Sequence, residues 1–356
     1  MNQLAKIPFV SDNDEYAIRS ENWISELTDL QKPRRLRERN PNPLILTGHG
    51  NSLRIENGTL VIKQGFSHYP QKQECHRYFK GDLELPRIIL LLDGSGTISF
   101  DVLSWLGEQN VALARMNWAG EIAIAISGNG YANDPEKVDW QREMRNCPKK
   151  QIEFAREIIS QKLANSVKTL EKEIPSSELQ AKAIARAKRG ISELSESLAD
   201  MQQVRAIEGE CASAYFKAWT QLQLNWKSNS RYPLPEQWKS YRARSAVRDQ
   251  APKNCNATDP INAMLNYAYA VKTTQLQIDA IGQGYDPTIG IMHHGRRGKP
   301  AYILDILEPE RPKVDAAILR FLRMTTFSGA DFILRKDGTC RLSPQLARVV
   351  IAAIDS

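Results

Sequence analysis

Three places in the chain bring together residue types that can do metal chemistry. Asp305 and Glu308 stand three residues apart in Leu304-Asp305-Ile306-Leu307-Glu308-Pro309-Glu310-Arg311-Pro312, the spacing that stacks two carboxylates on one helical face. His293 and His294 are adjacent in the run Gly290-Ile291-Met292-His293-His294, which continues through Gly295, Arg296, Arg297, Gly298 and Lys299. Neighbours on an extended segment point to opposite sides, so at most one of the two imidazoles faces a given site. Glu208 falls on one side of a helix with Cys211, Ala212, Tyr215 and Trp219, a largely apolar face. A carboxylate on such a face is paired, protonated or bound to a metal. The plainer alternatives are a Glu favoured by the macrodipole in a first helical turn, and an exposed surface turn around the histidines. Two carboxylates and one imidazole suit a hard divalent ion: Mg²⁺ and Mn²⁺ prefer oxygen ligands, Mn²⁺ also accepts an imidazole, and waters remain for substrate phosphates. Such an ion polarises a phosphodiester and stabilises its leaving oxygen.

Cationic and aromatic sequence surrounds these places. Residues 230–256 hold Arg231, Lys239, Arg242, Arg244, Arg248 and Lys253 against Glu236 and Asp249, with Tyr232, Trp238 and Tyr241 interleaved. Phosphate contacts beside stacking rings are what nucleic-acid surfaces use, although a single basic patch also reads as a solvated loop. Next comes a helix with Thr258 or Asp259 as its cap and Pro260 at its first position. Its stripe Ile261, Met264, Leu265 and Ala268 is ordinary core, but Asn262, Asn266 and Tyr269 form a polar ridge on one side.

The elements that must position these residues divide into two halves. From Leu44 the pattern is β: Ser52 to Glu56 and Thr59 to Lys63 alternate around Asn57-Gly58, the pair that tolerates positive φ in a type I′ turn. Ile88 to Leu92 reads as a buried strand, residues 100–106 as a short helix behind Ser99, and residues 121–126 as another strand. Residues 133–149, polar and carrying Pro135 and Pro148, read as the boundary. Beyond it Ile152, Ala155, Ile159, Leu163, Val167 and Leu170 repeat at helical period until Pro175. Ser177 with Gln180 resembles a capping box opening a second helix through Ile184, Ile191, Leu194, Leu198 and Met201, antiparallel to the first. The expected fold class is α+β: an N-terminal β-sheet-rich, sandwich-like domain over 43–132 and a C-terminal all-α-helical domain over 149–356. Residues 1–42 read as a basic extension. Its Pro-broken end, with Arg34, Arg35, Arg37 and Arg39, is either a phosphate-contacting arm or a solvated linker.

Composition narrows the class further. The chain has 356 residues, 42% hydrophobic and 25% charged, with 48 Lys+Arg against 41 Asp+Glu for a net charge of +7. That is compatible with a nucleic-acid partner without requiring one. No apolar run approaches the roughly 20 residues of a membrane span, and the N-terminus lacks the apolar core of a signal peptide. Five scattered cysteines without a C-x-x-C pair argue against a disulfide framework or a zinc ribbon. The expectation is a soluble, cytoplasmic protein. There is no phosphate-binding loop, Rossmann glycine fingerprint or H-E-x-x-H; Gly94-Ser95-Gly96 reads as a turn.

Taken together and in order, these motifs resemble the CRISPR-associated integrase family Cas1 from about residue 44 to the C-terminus. The resemblance rests on the hairpin at Asn57-Gly58, Lys162-Leu163-Ala164-Asn165, Ile207-Glu208-Gly209, the run Asp259-Pro260-Ile261-Asn262, Gly290-Ile291-Met292-His293 and Asp305-Ile306-Leu307-Glu308. It implies a β-domain that mediates homodimerisation and a helical catalytic domain. It implies Mg²⁺ or Mn²⁺ held by Glu208, His293 and Glu308, with Asp305 an auxiliary carboxylate; many family members carry Asp where this chain has Glu308. The implied reaction is metal-assisted transesterification, in which the 3′-hydroxyl of a short DNA duplex, the prespacer, attacks a phosphodiester at a repeat boundary. Arg242, Arg244, Arg248, Lys253, Arg296, Arg297 and Lys299 would position double-stranded or branched DNA, and the small protein Cas2 would bridge dimers. Alternative readings are an integrase that inserts a mobile element's own ends, a catalytically silent DNA-binding scaffold, and a plain nuclease acting on branched DNA.

Overall fold

The computed structural model describes residues 14–35, 37–116, 122–125, 134–196, 198, 200–227, 231–244, 257–294 and 300–355. The chain opens with helix α1 (Glu15–Leu30) and then enters its strand-rich part: β1 (Leu44–Leu46), β2 (His49–Glu56), β3 (Thr59–Lys63), β4 (Cys75–Tyr78), β5 (Ile88–Leu92), β6 (Ser95–Ile98), helix α2 (Phe100–Glu108), β7 (Ala112–Met116) and β8 (Ile122–Ala125). One sheet runs β4-β3-β2-β6 and the other β1-β5-β7-β8. The β2–β3 hairpin turns as its sequence demands, with Asn57 at φ 50° and Gly58 at φ 77°.

The two sheets enclose Leu46, Leu53, Leu60, Ile62 and Ile89 together with Val102 and Trp105 of α2. The purely apolar β5 is explained by its surroundings. Ile89 points into that core, while the alternate residues Leu90 and Leu92 point into a second core shared with the helices; a strand covered on both faces has no polar side to show. Gly94-Ser95-Gly96, expected as a turn, instead leads into β6, which lies parallel to β2. A Cβ on Gly96 would stand 2.0 Å from the Asn51 carbonyl oxygen, so only glycine lets the strands approach this closely.

The remainder comprises α3 (Pro135–Asn146), α4 (Pro148–Glu173), α5 (Glu178–Ser195), α6 (Met201–Ala218), β9 (Asn225–Trp226), α7 (Pro260–Gly282), α8 (Ala301–Leu307), α9 (Arg311–Met324), β10 (Thr326–Phe327), β11 (Phe332–Leu334), β12 (Cys340–Leu342) and α10 (Pro344–Asp355). It is helical apart from two small pairings, β9 with β10 and β11 with β12. The stretch expected as a boundary contains α3. Pro135 and Pro148 each occupy a first helical turn, where the missing N–H costs nothing, so they start helices rather than interrupt the chain. Ser177 caps α5 as expected, accepting from Gln180 N. The stripe through Leu198 and Met201 does not continue α5: Asp200 accepts from Gln202 N and Gln203 N and opens α6.

Within the stretch read as an extension, the described residues from 14 onward pack on both parts of the chain. Trp23 and Leu27 of α1 belong to the helical core, Trp23 Nε1 donates to the buried Asp331 at 2.8 Å, and Arg19 grips the same carboxylate through Nε and Nη2. Arg39 donates to the carbonyls of Leu85, Pro86 and Gln109, and Arg34 pairs with Glu84. These two arginines are tied to the β-rich part, while Arg35 and Arg37 are exposed. Cys75, Cys147, Cys211 and Cys340 are free thiols. No helix among the described residues is long and apolar enough to cross a membrane.

Candidate metal centre

Glu208 sits in the middle of α6, not in a first helical turn. The approach of α6 to its neighbour depends on Gly190 of α5, where a Cβ would come 2.7 Å from Cys211 Sγ and 3.0 Å from Leu163 Cδ1. Ile207, Cys211 and Tyr215 fill the buried side of α6, and Glu208 lies at its edge, facing Lys162 of α4. The Lys162 ammonium touches Glu208 Oε1 and stands 2.7 Å from Glu308 Oε2. Glu308 closes the C-terminal end of α8, and its other oxygen receives Arg311 Nε at 3.0 Å. The Glu308 side chain is 6% exposed and that of Glu208 26%, so the two carboxylates meet a shared cation from a buried and a half-open side.

Helix α4 also fixes the turn that carries Glu308. Asn165 Nδ2 donates to the Pro309 carbonyl at 2.9 Å and Thr169 Oγ1 to that of Pro312 at 2.7 Å. Lys162 and Asn165 therefore lie one turn apart because the ion pair and the turn behind it must be held from the same face.

His293 is held by a different carboxylate. Asp305, fully buried in α8, accepts the backbone N–H groups of Ile291, Met292 and His293 at 2.6, 3.1 and 2.9 Å. Its Oδ1 also accepts the imidazole Nδ1–H at 2.7 Å. With a carboxylate on Nδ1 the proton belongs there, and Nε2 presents its lone pair. Asp305 and Glu308, three residues apart, take different partners. Asp305 turns toward the histidine loop, whereas Glu308, past the last residue of α8, turns toward Lys162 and Arg311. His294 is exposed.

Two glutamines complete the loop's support. Gln141 of α3 donates to the Asp286 and Ile289 carbonyls and accepts from Asp286 N. Gln151 of α4 donates to the Ile291 carbonyl at 2.6 Å. A Cβ at Gly290 would lie 2.4 Å from the His293 carbonyl oxygen, so the loop can close this tightly only with glycine.

The charges reinforce one another. The hydrogen bond to Asp305 raises the His293 pKa against the opposing effect of burial, and the negative fields of Asp305, Glu308 and Glu208 add to it. Burial pushes Glu308 up, but Arg311 and Lys162 outweigh it and hold the carboxyl below its ordinary value. Burial likewise works against the Lys162 ammonium, and Glu308 and Glu208 more than restore it.

The donor set suits a hard divalent ion: two carboxylates already share a cation, and an imidazole offers one free nitrogen. Among the described residues, however, no three His, Cys, Asp or Glu side chains are gathered closely enough to hold an ion. The position between Glu208 and Glu308 belongs to the Lys162 ammonium.

Beside this centre lies a cavity of about 270 Å³, lined by Lys162, Glu208, Arg244, Tyr269 and Asp315 among others. Of the polar ridge seen in the sequence, Tyr269 lines this cavity, and the two asparagines hold Arg244, which lines it as well. Arg244 donates to Asn262 Oδ1 at 3.0 Å and Asn266 Oδ1 at 3.2 Å, and lies over the rings of Phe216 and Tyr269. Tyr215 and Tyr269 both donate to Asp315. Arg244 is thus engaged within the protein, while Arg242 is exposed. Trp238 and Tyr241 do not stack at the surface; both are buried among Trp219, Trp226 and Phe332. Arg248, Lys253, Arg296, Arg297 and Lys299 lie outside the described residues.

Residues 44–356 match the sequence model of the family described as CRISPR associated protein Cas1. A CRISPR-associated endonuclease Cas1 of Archaeoglobus fulgidus is 24% identical over 325 residues, covering 87% of this chain and 86% of the relative. Among solved structures, a casposase bound to its integration product is similar with a TM-score of 0.70 at 20% identity, over 88% of this chain and 82% of that one. A Cas6-RT-Cas1–Cas2 complex is similar with a TM-score of 0.65 at 18% identity, over 91% of this chain and 33% of that one. The fold is shared across all of these, and the family match runs through every residue of the centre just described, so the chain belongs to the Cas1 family of CRISPR-associated endonucleases.

Proposed function

We propose that this protein is a divalent-metal-dependent DNA integrase of CRISPR adaptation, joining short DNA to an array by transesterification. The observation that carries the reading is an imidazole held at Nδ1 by Asp305 within the electrostatic reach of the Glu208 and Glu308 carboxylates, which already share a cation. Glu208, Glu308 and His293 would hold Mg²⁺ or Mn²⁺, which when bound would orient the scissile phosphate and offset its developing charge. Asp305 keeps the His293 proton on Nδ1 and the loop in register. Arg311 keeps Glu308 ionised. In the reaction the 3′-oxygen of the incoming strand bonds to phosphorus, the bond from phosphorus to the target strand's 3′-oxygen breaks, and the proton of the attacking hydroxyl passes to solvent or to the departing oxygen. Phosphodiester bonds are conserved, so no energy source is required.

The exposed Arg242 is suited to a phosphate contact. Ile98, Phe100 and Leu103 are exposed around β6, an edge strand of its sheet, an apolar surface suited to a second copy. A small partner bridging two such dimers is supported by the Cas1–Cas2 assembly among the similar structures.

The test is strand transfer of a labelled duplex into a plasmid carrying a repeat, with Mn²⁺ or Mg²⁺, for wild type, Glu208→Ala and His293→Ala. Activity is expected only in the wild type and only without EDTA, with DNA affinity kept in the variants. A folded Glu208→Ala protein that still transfers strands would refute the assignment.

A further inference from the structure

Lys162 is the one residue of the centre for which a metal-bound reading leaves no obvious place. Its ammonium lies between Glu208 and Glu308 and touches both, with its side chain only 14% exposed. Arg311 covers the other oxygen of Glu308 and does not reach Glu208. Removing Lys162 would leave two carboxylates, one of them buried, without the cation that now joins them, an arrangement that repels itself. The ammonium therefore serves these two groups as a metal ion would.

We propose that Lys162 is a built-in counter-ion of Glu208 and Glu308, and that a divalent ion binds by displacing its ammonium from them. This rests on the reading of these residues as a metal centre. An ion held by the same oxygens cannot coexist with an ammonium in contact with both, because the two cations would compete for one set of acceptors. Lysine suits the role. Its charge is a compact point on a flexible four-carbon stem that can withdraw without moving α4, whereas a guanidinium fork would lock onto the carboxylates. Meanwhile Asn165 and Thr169 hold the turn behind Glu308 in place. The metal-free centre is thus kept charge-balanced and shaped at the cost of some metal affinity.

The experiment uses the full chain with MnCl₂ as the probe. Mn²⁺ binding is followed by the loss of the free-ion EPR signal for wild type, Glu208→Ala, His293→Ala and Lys162→Met. Melting temperature is measured with and without Mn²⁺. Lys162→Met should bind Mn²⁺ about tenfold more tightly or better, a coupling of ordinary size between two ligands of one site. Its metal-free form should melt lower, and its Mn²⁺-induced rise should be larger than that of wild type. Unchanged or weakened Mn²⁺ affinity in folded Lys162→Met overturns displacement while leaving the metal centre standing. Wild-type protein with no Mn²⁺ site sensitive to Glu208→Ala or His293→Ala overturns both.

A second measurement needs no variant. Reductive methylation of wild type, read by mass spectrometry, should label Lys162 faster with Mn²⁺ than without, relative to the exposed Lys168. Labelling of Lys162 that Mn²⁺ leaves unchanged overturns the proposal even if Lys162→Met fails to fold.

Discussion

Asp305 and His293 are joined twice through one atom: Asp305 Oδ1 accepts both the backbone N–H of His293, at 2.9 Å, and its imidazole Nδ1–H, at 2.7 Å. The side chain that orients the imidazole thereby also sets the backbone carrying it, so ring and loop cannot drift independently. Asp305→Asn tests this with little change in volume. An amide has one acceptor oxygen where four N–H donors converge, and its NH₂ must face at least one of them. The metal-free protein is expected to lose about 1–3 kcal/mol, the usual result of leaving a buried donor unpaired. Mn²⁺ affinity and strand transfer should each fall on the order of 10–100-fold, as when the group behind a metal-ligating histidine is removed. Denaturant titration and Mn²⁺ binding on the same samples check both; wild-type Mn²⁺ affinity in the Asn variant would exclude Asp305 from orienting the histidine.

The adjacent histidines predict opposite outcomes. His293 is partly buried and anchored to Asp305, whereas His294 is exposed. His293→Ala is expected to abolish strand transfer, and His294→Ala to retain activity within about a factor of two, as most surface substitutions do. Single-turnover assays with matched melting curves decide it. A dead His294→Ala beside an active His293→Ala would reverse the assignment.

The choice of His293 over its neighbour was legible only through the family motif. The loop's support was not legible. Gln141 and Gln151 hold the loop through amides, and a glutamine looks the same in sequence whether it clamps a carbonyl or hydrates a surface. Lys162 could be singled out only within a family motif, because its meaning depends on Glu208 and Glu308, which are distant in the chain. Trp238 and Tyr241 misled for the converse reason: rings among cations suit a base-stacking surface and a buried core equally, and packing against Trp219 and Phe332 settles it. Helix α1 was missed although Ala17, Trp23, Leu27 and Leu30 stand at helical spacing, because the proline-broken basic stretch after it drew the reading and its polar anchor, Asp331, lies at the other end of the chain.

Arg242 and Arg244, read alike from sequence, separate in the structure. Arg242 is exposed, and Arg244 is spent on Asn262, Asn266 and two aromatic rings. Arg242→Ala should weaken DNA binding across sequences and reduce the slope of log K against log salt by about 1, one phosphate contact's worth of counterion release, with stability unchanged. Arg244→Ala should instead destabilise the fold by about 1–3 kcal/mol through the lost bonds to Asn262 and Asn266 and the lost packing on the two rings. Salt-dependent binding isotherms and urea melts on both variants check this. A salt slope that changes for Arg244→Ala alone would invert the division.

Asp315 gives the pH prediction. It lies where α6, α7 and α9 meet, accepting Tyr215 at 2.9 Å and also Tyr269. Tyr215 follows Glu208 on α6, and Arg311 begins α9, so this carboxyl aligns two of the helices that carry the centre. Burial raises its pKa from the ordinary 3.8 to about 6, outweighing the two tyrosine hydrogen bonds and the fields of Arg244 and Arg311. The folded protein therefore binds this proton more tightly than the unfolded chain does. The resulting stabilisation is complete below the unfolded pKa near 3.8 and is lost as pH rises through about 6. A shift of about two units corresponds to a loss of about 3 kcal/mol across that window. Asp315→Asn, neutral at every pH, removes this contribution. Urea unfolding at several pH values from about 4 to 7.5 should give a stability that falls less steeply with pH in the variant than in wild type, with the two curves converging or crossing toward neutral pH. Parallel curves would mean that Asp315 is already ionised throughout and that the tyrosine hydroxyls and arginines, not burial, govern its charge.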